Sequence, residues 1–579
     1  MAARLTAYIV AVIVGVTFIA GLIVGAQRDG DGPVDLIVQN GIVYTADGDG
    51  TMAEAIAVQG NKILQVGSNR EIQRLRRPKT IVVDAKGGAV LPGFNDSHVH
   101  LLDGALSLSQ IDLMDARTLA AVEAAITSWV AVNRSVSWVT GRGWTNDPFP
   151  GGLPTRQILD ALVPDRPAFI TSYDGRTGWA NSAALKAAKI TRRTPNPPNG
   201  VIVKDAQSGE PTGVLKEGAM QLVSTLLPEP TRGERTAALQ AAMKVAHRHG
   251  ITSIQTAGGS AEDLELFDEL RRGKALAVRV YAALSGDTSL TREQFDAFDR
   301  LRTRYDDDPL FKAGAIKLML DGVVESHTAS LLAPYANRAT TAGEPRMSDD
   351  AVQRLVNELD RRGWQIMIHA VGDRAIRMAL DAFETATRQN EPPEHGRRHR
   401  IEHIETIDTA DIARFARLGV IASMQPYHSV PDPARKELWT RNLGPDRTER
   451  AWAYNSIAKT GGRLAFGSNW PVMSIDPLLG LHAAVNRTTL DGQPEGGWMA
   501  AERLPLRRAI DAYTRDAAWA SFDEHRKGSL QRDMLADVVI LTHDIFSLPA
   551  TRLAEVEVAV TIFDGKVVYT RLVDGSDND

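Results

Sequence analysis

Cysteine occurs nowhere in the 579 residues of this chain. Disulfides, thiolate metal ligands and a cysteine nucleophile are excluded together, so any bound metal must be held by nitrogen and oxygen, a donor set that suits zinc, iron, manganese or nickel. A surplus of positive charge is missing too: the formal net charge is −5 and no run of like charge exceeds a few residues. That leaves no basic surface for nucleic acid and points to a small substrate that is not strongly polyanionic. Internal repeats and low-complexity tracts are absent. With 43% hydrophobic and 24% charged residues the chain is globular, and its length exceeds what one core organises, so two or more domains are expected.

Charge is absent altogether from Leu5 to Gln27. The run AYIVAVIVGVTFIAGLIVGA, at ~20 residues, is long enough to cross a bilayer as a helix, and Arg4 favours leaving the N-terminus in the cytoplasm. Val24-Gly25-Ala26 also suits the cleavage site of a signal peptide. The length of the run favours an uncleaved anchor, and its terminal position disfavours a buried soluble helix. Residues 1–30 are therefore expected to be a membrane anchor or signal segment with its linker. The rest of the chain is then expected outside the cytoplasm, anchored or secreted, where lack of cysteine avoids misoxidation.

After the polar linker RDGDGPV, short strands alternate with turn residues in DLIVQNGIVYTADG, AEAIAVQGNKILQVG and KTIVVDAKGGAVLPG, and ADVVILTHD, VEVAVTIFDG and KVVYT repeat that texture near the C-terminus. Between them, strand-like runs alternate with helical stretches such as ERTAALQAAMKVAHRHG and DDAVQRLVNELDRRGW, the pattern of parallel βα units. Eight strands are expected: AVLPGFND, ITSIQTAG, LAVRVYAAL, AGAIKLML, WQIMIHAVG, HRIEHIE, VIASMQPYH and RLAFGSN. Eight is the number that closes a TIM barrel. The stretch from about 137 to 227, rich in Pro and Gly, interrupts the alternation and reads as an insertion beside the mouth of the barrel.

Five of these segments end in a possible metal ligand as the apolar stretch runs out: His98-Val99-His100, Lys317, His369, His403 and Asn469. Residues two apart on a strand share a face, so His98 and His100 can grip one ion. The five fall on the first, fourth, fifth, sixth and eighth strands, and function in a TIM barrel collects at the C-terminal strand ends.

The order and flanks of these segments, together with PTRQILDALVPDRPAFI, WANSAALKAAKI, SGEPTGVLKE and KGSLQRDMLADVVIL, resemble the amidohydrolase superfamily, in particular its long, amidohydrolase-3-like branch that includes N-substituted formamide deformylases. The resemblance runs from about Asp35 to Tyr569. It implies an α/β architecture in which residues 34–93 and 526–573 meet in one small β-sandwich around a barrel spanning 94–525. It also implies two divalent metals, zinc foremost, with His98 and His100 on the more buried ion and His369 and His403 on the second. Lys317 would bridge them as a carbamate formed with carbon dioxide. Burial between cations favours the neutral amine that reacts with carbon dioxide, and the resulting anion offers one oxygen to each metal.

Asn469 departs from that pattern. Related sequences usually read Gly-Ser-Asp-Trp-Pro here, and the aspartate binds metal and shuttles a proton from water to the leaving nitrogen. An amide lacks the basic oxygen for that role, a loss worth about 10² to 10⁴ in rate, although its carbonyl can still coordinate. Three explanations stand open: a naturally impaired or repurposed relative, another carboxylate in its place, or an altered residue. Asp476, Asp321 and Asp373 are the available carboxylates, the last two better suited to orienting histidines or capping loops.

Elsewhere, His247 and His249 repeat the two-residue spacing at a helix end and are decoys, while His395 and His399 are expected to face solvent. His428 and Gln425, in MQPYH, are candidate substrate contacts. So is Arg176, which stands where the family commonly has histidine and suits a carboxylate, with a surface arginine as the alternative. Trp144 and Trp179 suit either a pocket wall or packing. The resulting expectation is a metal-dependent hydrolase of non-peptide C–N bonds (amide, formamide or cyclic amide) acting through a hydroxide shared by the metals. His403, Lys317 and position 469 carry the catalysis. The alternatives are a catalytically silent relative that binds metal or ligand, and a lactonase or isomerase on the same site. A homodimer is a further expectation.

Overall fold

A computed structural model describes residues 33–173, 175–431 and 433–571. The anchor or signal segment expected at 1–30 lies outside the described residues, among which no helix is long and apolar enough to cross a membrane.

Eight parallel strands form the centre: β1 (Phe94–Val99), β2 (Ile251–Thr256), β3 (Arg279–Ser285), β4 (Phe311–Met319), β5 (Gln365–Ala370), β6 (Arg400–His403), β7 (Ile421–Met424) and β8 (Arg463–Phe466). All eight expected runs are present, with one refinement. AVLPGFND is split, because Ala89–Pro92 pairs with the terminal sheets and only the part from Phe94 enters the barrel. Helices such as Asp349–Arg361 and Asp373–Gln389 turn an apolar stripe toward the strands, burying Val352, Leu355, Val356 and Leu359 from the first and Ile376, Leu380 and Phe383 from the second.

The barrel is nearly closed: a continuous ladder runs from β1 to β8, but β8 and β1 are not paired as strands. Asp96 bridges that gap. Its Oδ1 accepts the amides of Ser468 (2.9 Å) and His98 (3.1 Å), and its Oδ2 accepts the Ser468 hydroxyl at 2.5 Å. Two backbone bonds follow, Asn469 N to His98 O (2.7 Å) and His100 N to Trp470 O (2.9 Å). Burial pushes the Asp96 carboxyl up to about 6 against the pull of these donors. The approach is so close that a Cβ on Gly467 would collide with His98 N and Asp96 Oδ1.

The two ends of the chain meet in two facing sheets. One, ordered Lys62–Gly67, Ala55–Gln59, Leu36–Gln39 and Ile81–Asp84, is wholly N-terminal. The other pairs the C-terminal strand Val538–Leu541 antiparallel with Ala89–Pro92, and Val38, Ile56, Val538 and Ile562 share the core between the sheets. Arg279 at the start of β3 reaches from the barrel to Asp537 (2.6 Å), with both side chains buried.

A third, mixed six-stranded sheet interrupts the chain between β1 and β2. It begins at Ile111–Asp112, ahead of the boundary suggested by Pro and Gly content, because that edge strand has only two residues and leaves no periodic signal. Arg142 donates to the Pro471 carbonyl beyond β8, and Arg176 to Thr328 Oγ1 beyond β4 (3.5 Å), so the sheet rests on the barrel's C-terminal rim.

Replacing Gly467 by alanine is expected to lower stability by about 3 kcal/mol, since the neighbours of the new methyl are backbone and a buried carboxylate that cannot yield. A shift of the urea midpoint smaller than a third of that would show that the seam is looser than described.

Candidate metal centre at the barrel mouth

Strand geometry and two local reversals bring the expected ligands together. His98 faces inward from β1 and is buried. His403 follows Glu402 on β6, so simple alternation would turn it away from the interior that Arg400 and Glu402 occupy. Its positive φ of 75°, followed by 52° at Ile404, swings the imidazole back. The His403 ring consequently lies 4.8 Å from that of His98 and 4.4 Å from that of His369, while His98 and His100 are 5.6 Å apart. Asn469, also left-handed at φ 61°, closes the ring from beyond β8.

Lys317 stands among them, 5% exposed. Burial lowers its amine to about 8, with Arg400 adding to that and Glu402 opposing it. Its charge is felt at all four histidines. Burial first, then Lys317, brings His98 well below its usual range and His100 to about 4. His369 falls to about 3 for the same two reasons, and His403 is lowered by burial, then His369, His98 and Lys317. Four neutral imidazoles around one amine whose proton burial has loosened is an arrangement suited to cations, which require deprotonated ligands.

Second partners fix which ring nitrogens stay free. His98 Nδ1 lies 2.5 Å from Glu402 Oε2, and a carboxylate only accepts, so Nδ1 carries the hydrogen and Nε2 keeps its lone pair. That Nε2 is buried without a partner. His369 Nε2 donates to the Gly322 carbonyl (3.1 Å), which leaves Nδ1 as the acceptor. Asn469 Nδ2 donates to His428 Nε2 (3.2 Å), and its Oδ1 is likewise buried and unpartnered. Among the described residues no three His, Asp or Glu side chains already stand in coordination geometry. The donor set still fits a divalent cation: the neutral rings stand with centroids 4.4 to 5.6 Å apart, and two polar atoms, His98 Nε2 and Asn469 Oδ1, are buried with no other partner.

Glu402 was not among the expected site residues, nor was Arg400, which grips it from below (2.9 Å). In HRIEHIE the candidate ligand His403 is the conspicuous residue, yet the alternation Arg400, Glu402 places both of those side chains inside the barrel. A third unforeseen group is Glu405, whose carboxyl burial and Glu325 push well above its usual range. It faces His428 Nδ1 across 3.6 Å. Burial, then Arg435, brings His428 down to about 3, so it hydrogen-bonds as a neutral ring.

Other candidates lie apart or are engaged elsewhere. Trp144 and Trp179 pack into the core of the inserted sheet, donating to the carbonyls of Ile170 (3.0 Å) and Thr155 (2.9 Å), and so do not wall the ring of ligands. Arg176 pairs with Glu217 (3.3 Å). Gln425 is buried beside β7, 3.4 Å from Ser423 O. Asp321 takes three amides, of Val371, Gly372 and Ser330, and Asp373 takes that of Leu332, so both cap loops. Asp321 also lies 3.5 Å from His369 Nε2. Asp476 caps the helix Pro477–Asn486 and faces His249. His247 bonds the Ala277 carbonyl. His399 is buried, not solvent-facing: it stacks on Phe383 and pairs with Asp360 at 3.0 Å, a partnership its polar sequence neighbours conceal.

Comparisons with known proteins converge on one group. A model of the amidohydrolase family matches residues 81–569. The chain is 31% identical over 547 residues to a putative amidohydrolase, YtcJ, of Bacillus subtilis, the match covering 92% of this chain and 99% of that one. It is 26% identical to an N-substituted formamide deformylase of Arthrobacter pascens, covering 93% and 98%. Among solved structures, an uncharacterized metal-dependent hydrolase of Pyrococcus horikoshii superposes with a TM-score of 0.71 at 24% identity, over 89% of this chain and 99% of that one, a likeness of fold.

Glu402→Gln is expected to weaken divalent-metal binding by about 10- to 100-fold, measured by chelator competition on the full chain, because the histidine loses the carboxylate that orients it. It also leaves Arg400 poorly paired, so the melting temperature falls. Unchanged metal affinity would remove Glu402 from the site.

Proposed function

This chain belongs to the amidohydrolase family, and from that premise we propose that it is a metal-dependent hydrolase of non-peptide C–N bonds, with formamides and other small amides as substrates. The observation that carries the reading is Lys317 held among four neutral imidazoles at the strand ends. His98 and His100 would hold one divalent ion, zinc foremost, and His369 and His403 a second, with Lys317 between them as a carbamate. Metal ions in such a site supply an activated water and polarise a carbonyl oxygen.

The chain's own groups define what is left to them. Glu402 fixes the tautomer of His98, and Gly322 that of His369. Asn469 offers a carbonyl oxygen to the ring and ties its amide nitrogen to His428, an arrangement that binds but accepts no proton. His428, kept neutral by burial, is a hydrogen-bond partner for substrate and a weak base at best. Slow turnover is the consequence. A second reading, a silent relative that binds metal and ligand without hydrolysing it, is favoured by this one residue. The proposal extends to an extracytoplasmic location, supported by the uncharged run Leu5–Gln27.

Asn469→Asp should raise kcat by about 10² to 10⁴ on a panel of formamides, N-acyl amines, ureas and cyclic amides, by restoring the proton acceptor. If both forms carry two metals per chain and neither turns over any member, the binding reading replaces the hydrolase. Intact-protein mass measured under native conditions should also show carbon dioxide added to the wild type and absent from Lys317→Met.

A further inference from the structure

A cavity of about 890 Å³ opens directly onto His100 and Lys317 and runs outward between the loops that follow β2, β3 and β4. Its walls include Phe267, Leu290, Phe298 and Met347, which suits the apolar part of a small substrate. The charged groups on those walls differ sharply in their engagement. Asp263 accepts the Ser260 amide (2.8 Å) and pairs with Arg235, and Asp287 accepts the amide and hydroxyl of Ser289. Asp103, beyond the ligand strand β1, is exposed into the cavity.

Among the described residues, Arg346 is the one guanidinium on this lining. Its amide donates to the Leu320 carbonyl (2.6 Å), which fastens its loop across the end of β4 and raises the side chain beside the Lys317 strand. The side chain is exposed, and no carboxylate among the described residues pairs with it, whereas Arg176 and Arg235 are each paired. Arg346 lines the same cavity as His100 and Lys317, and its positive charge is felt at His369 and Asp321. Arg176, the arginine the sequence suggested for such a role, is held by Glu217 and Thr328.

We propose that Arg346 receives a carboxylate of the substrate, so that the favoured substrates are small amides carrying an anionic group, of the N-acyl amino acid kind, with their apolar chain along Phe267 and Phe298. This rests on the hydrolase reading of the same site. A planar fork of N–H donors matches a carboxylate bidentately, and the half-enclosed cavity strengthens the pair over one in open water.

The test compares two probes of matched length, N-formyl-ε-aminocaproate and N-formylhexylamine, titrated calorimetrically into full-length, zinc-loaded protein. The wild type is expected to bind the carboxylate probe at least about 10-fold more tightly. Arg346→Met should bring the two probes to within about 2-fold while leaving the neutral probe's affinity and the melting temperature unchanged, and Arg346→Lys should fall between. Equal binding by the wild type, a preference that survives in Arg346→Met, or no binding of either probe each overturns the proposal. A preference that stands while Asn469→Asp hydrolyses neither probe would sink the hydrolase reading and leave the carboxylate site.

Discussion

The guanidinium of Arg400, fully buried inside the barrel, is the group on which the rest of the site depends. Its Nε and Nη2 bond Glu402, Nη1 bonds Gln255 of β2, and Nη2 also reaches the Ser97 carbonyl of β1 and Ser423 of β7. Taking such a charge out of water costs several kcal/mol, and only full satisfaction of its donors and a paired carboxylate offset that. The satisfied network joins four strands, and through Glu402 it reaches the first histidine. A barrel interior filled with Val, Ile and Leu would pack well but could not aim an imidazole. Here a polar layer beneath the mouth does both tasks, holding strands in register and setting the tautomer above them.

Above that layer the chemistry is arranged by exclusion of water. Every imidazole of the ring is held neutral by burial and by the neighbouring amine, so lone pairs face inward at neutral pH without competition from protons. Asn469 is compatible with this order and incompatible with proton transfer. Its amide nitrogen is committed to His428, behind which Glu405 lies buried and strongly disposed to stay protonated. Under the hydrolase reading proposed above, position 469 would keep the orientation of the ring and offer no acceptor for a proton.

Much of this was legible in the chain because it is local. A short apolar run bounded by turn residues marks a strand, eight such runs alternating with helices mark a barrel, and five of them end in His, Lys or Asn. What escaped reading depends on partners far away in sequence. Glu402 lies 304 residues from the His98 it orients, and Asp96 is 372 residues from the Ser468 it binds at the seam. His399 looked solvent-facing amid its polar neighbours, yet Asp360 and Phe383 wait for it on other elements. Trp144 and Trp179 could not be assigned to pocket or packing until the inserted sheet's own core was visible. The reversal of His403 is a backbone matter that periodicity, with its fixed step of two, has no means to express.

The pairing of Ala89–Pro92 with Val538–Leu541 has a temporal consequence. The first of these strands runs straight on into β1, so the residues that enter the barrel begin life attached to a sheet whose other half has yet to be synthesised. During translation the early strand presents an unpaired edge while some 440 further residues emerge, which slows folding and invites contact with other chains. A helper that shields that edge would therefore act while most of the barrel strands are still being made.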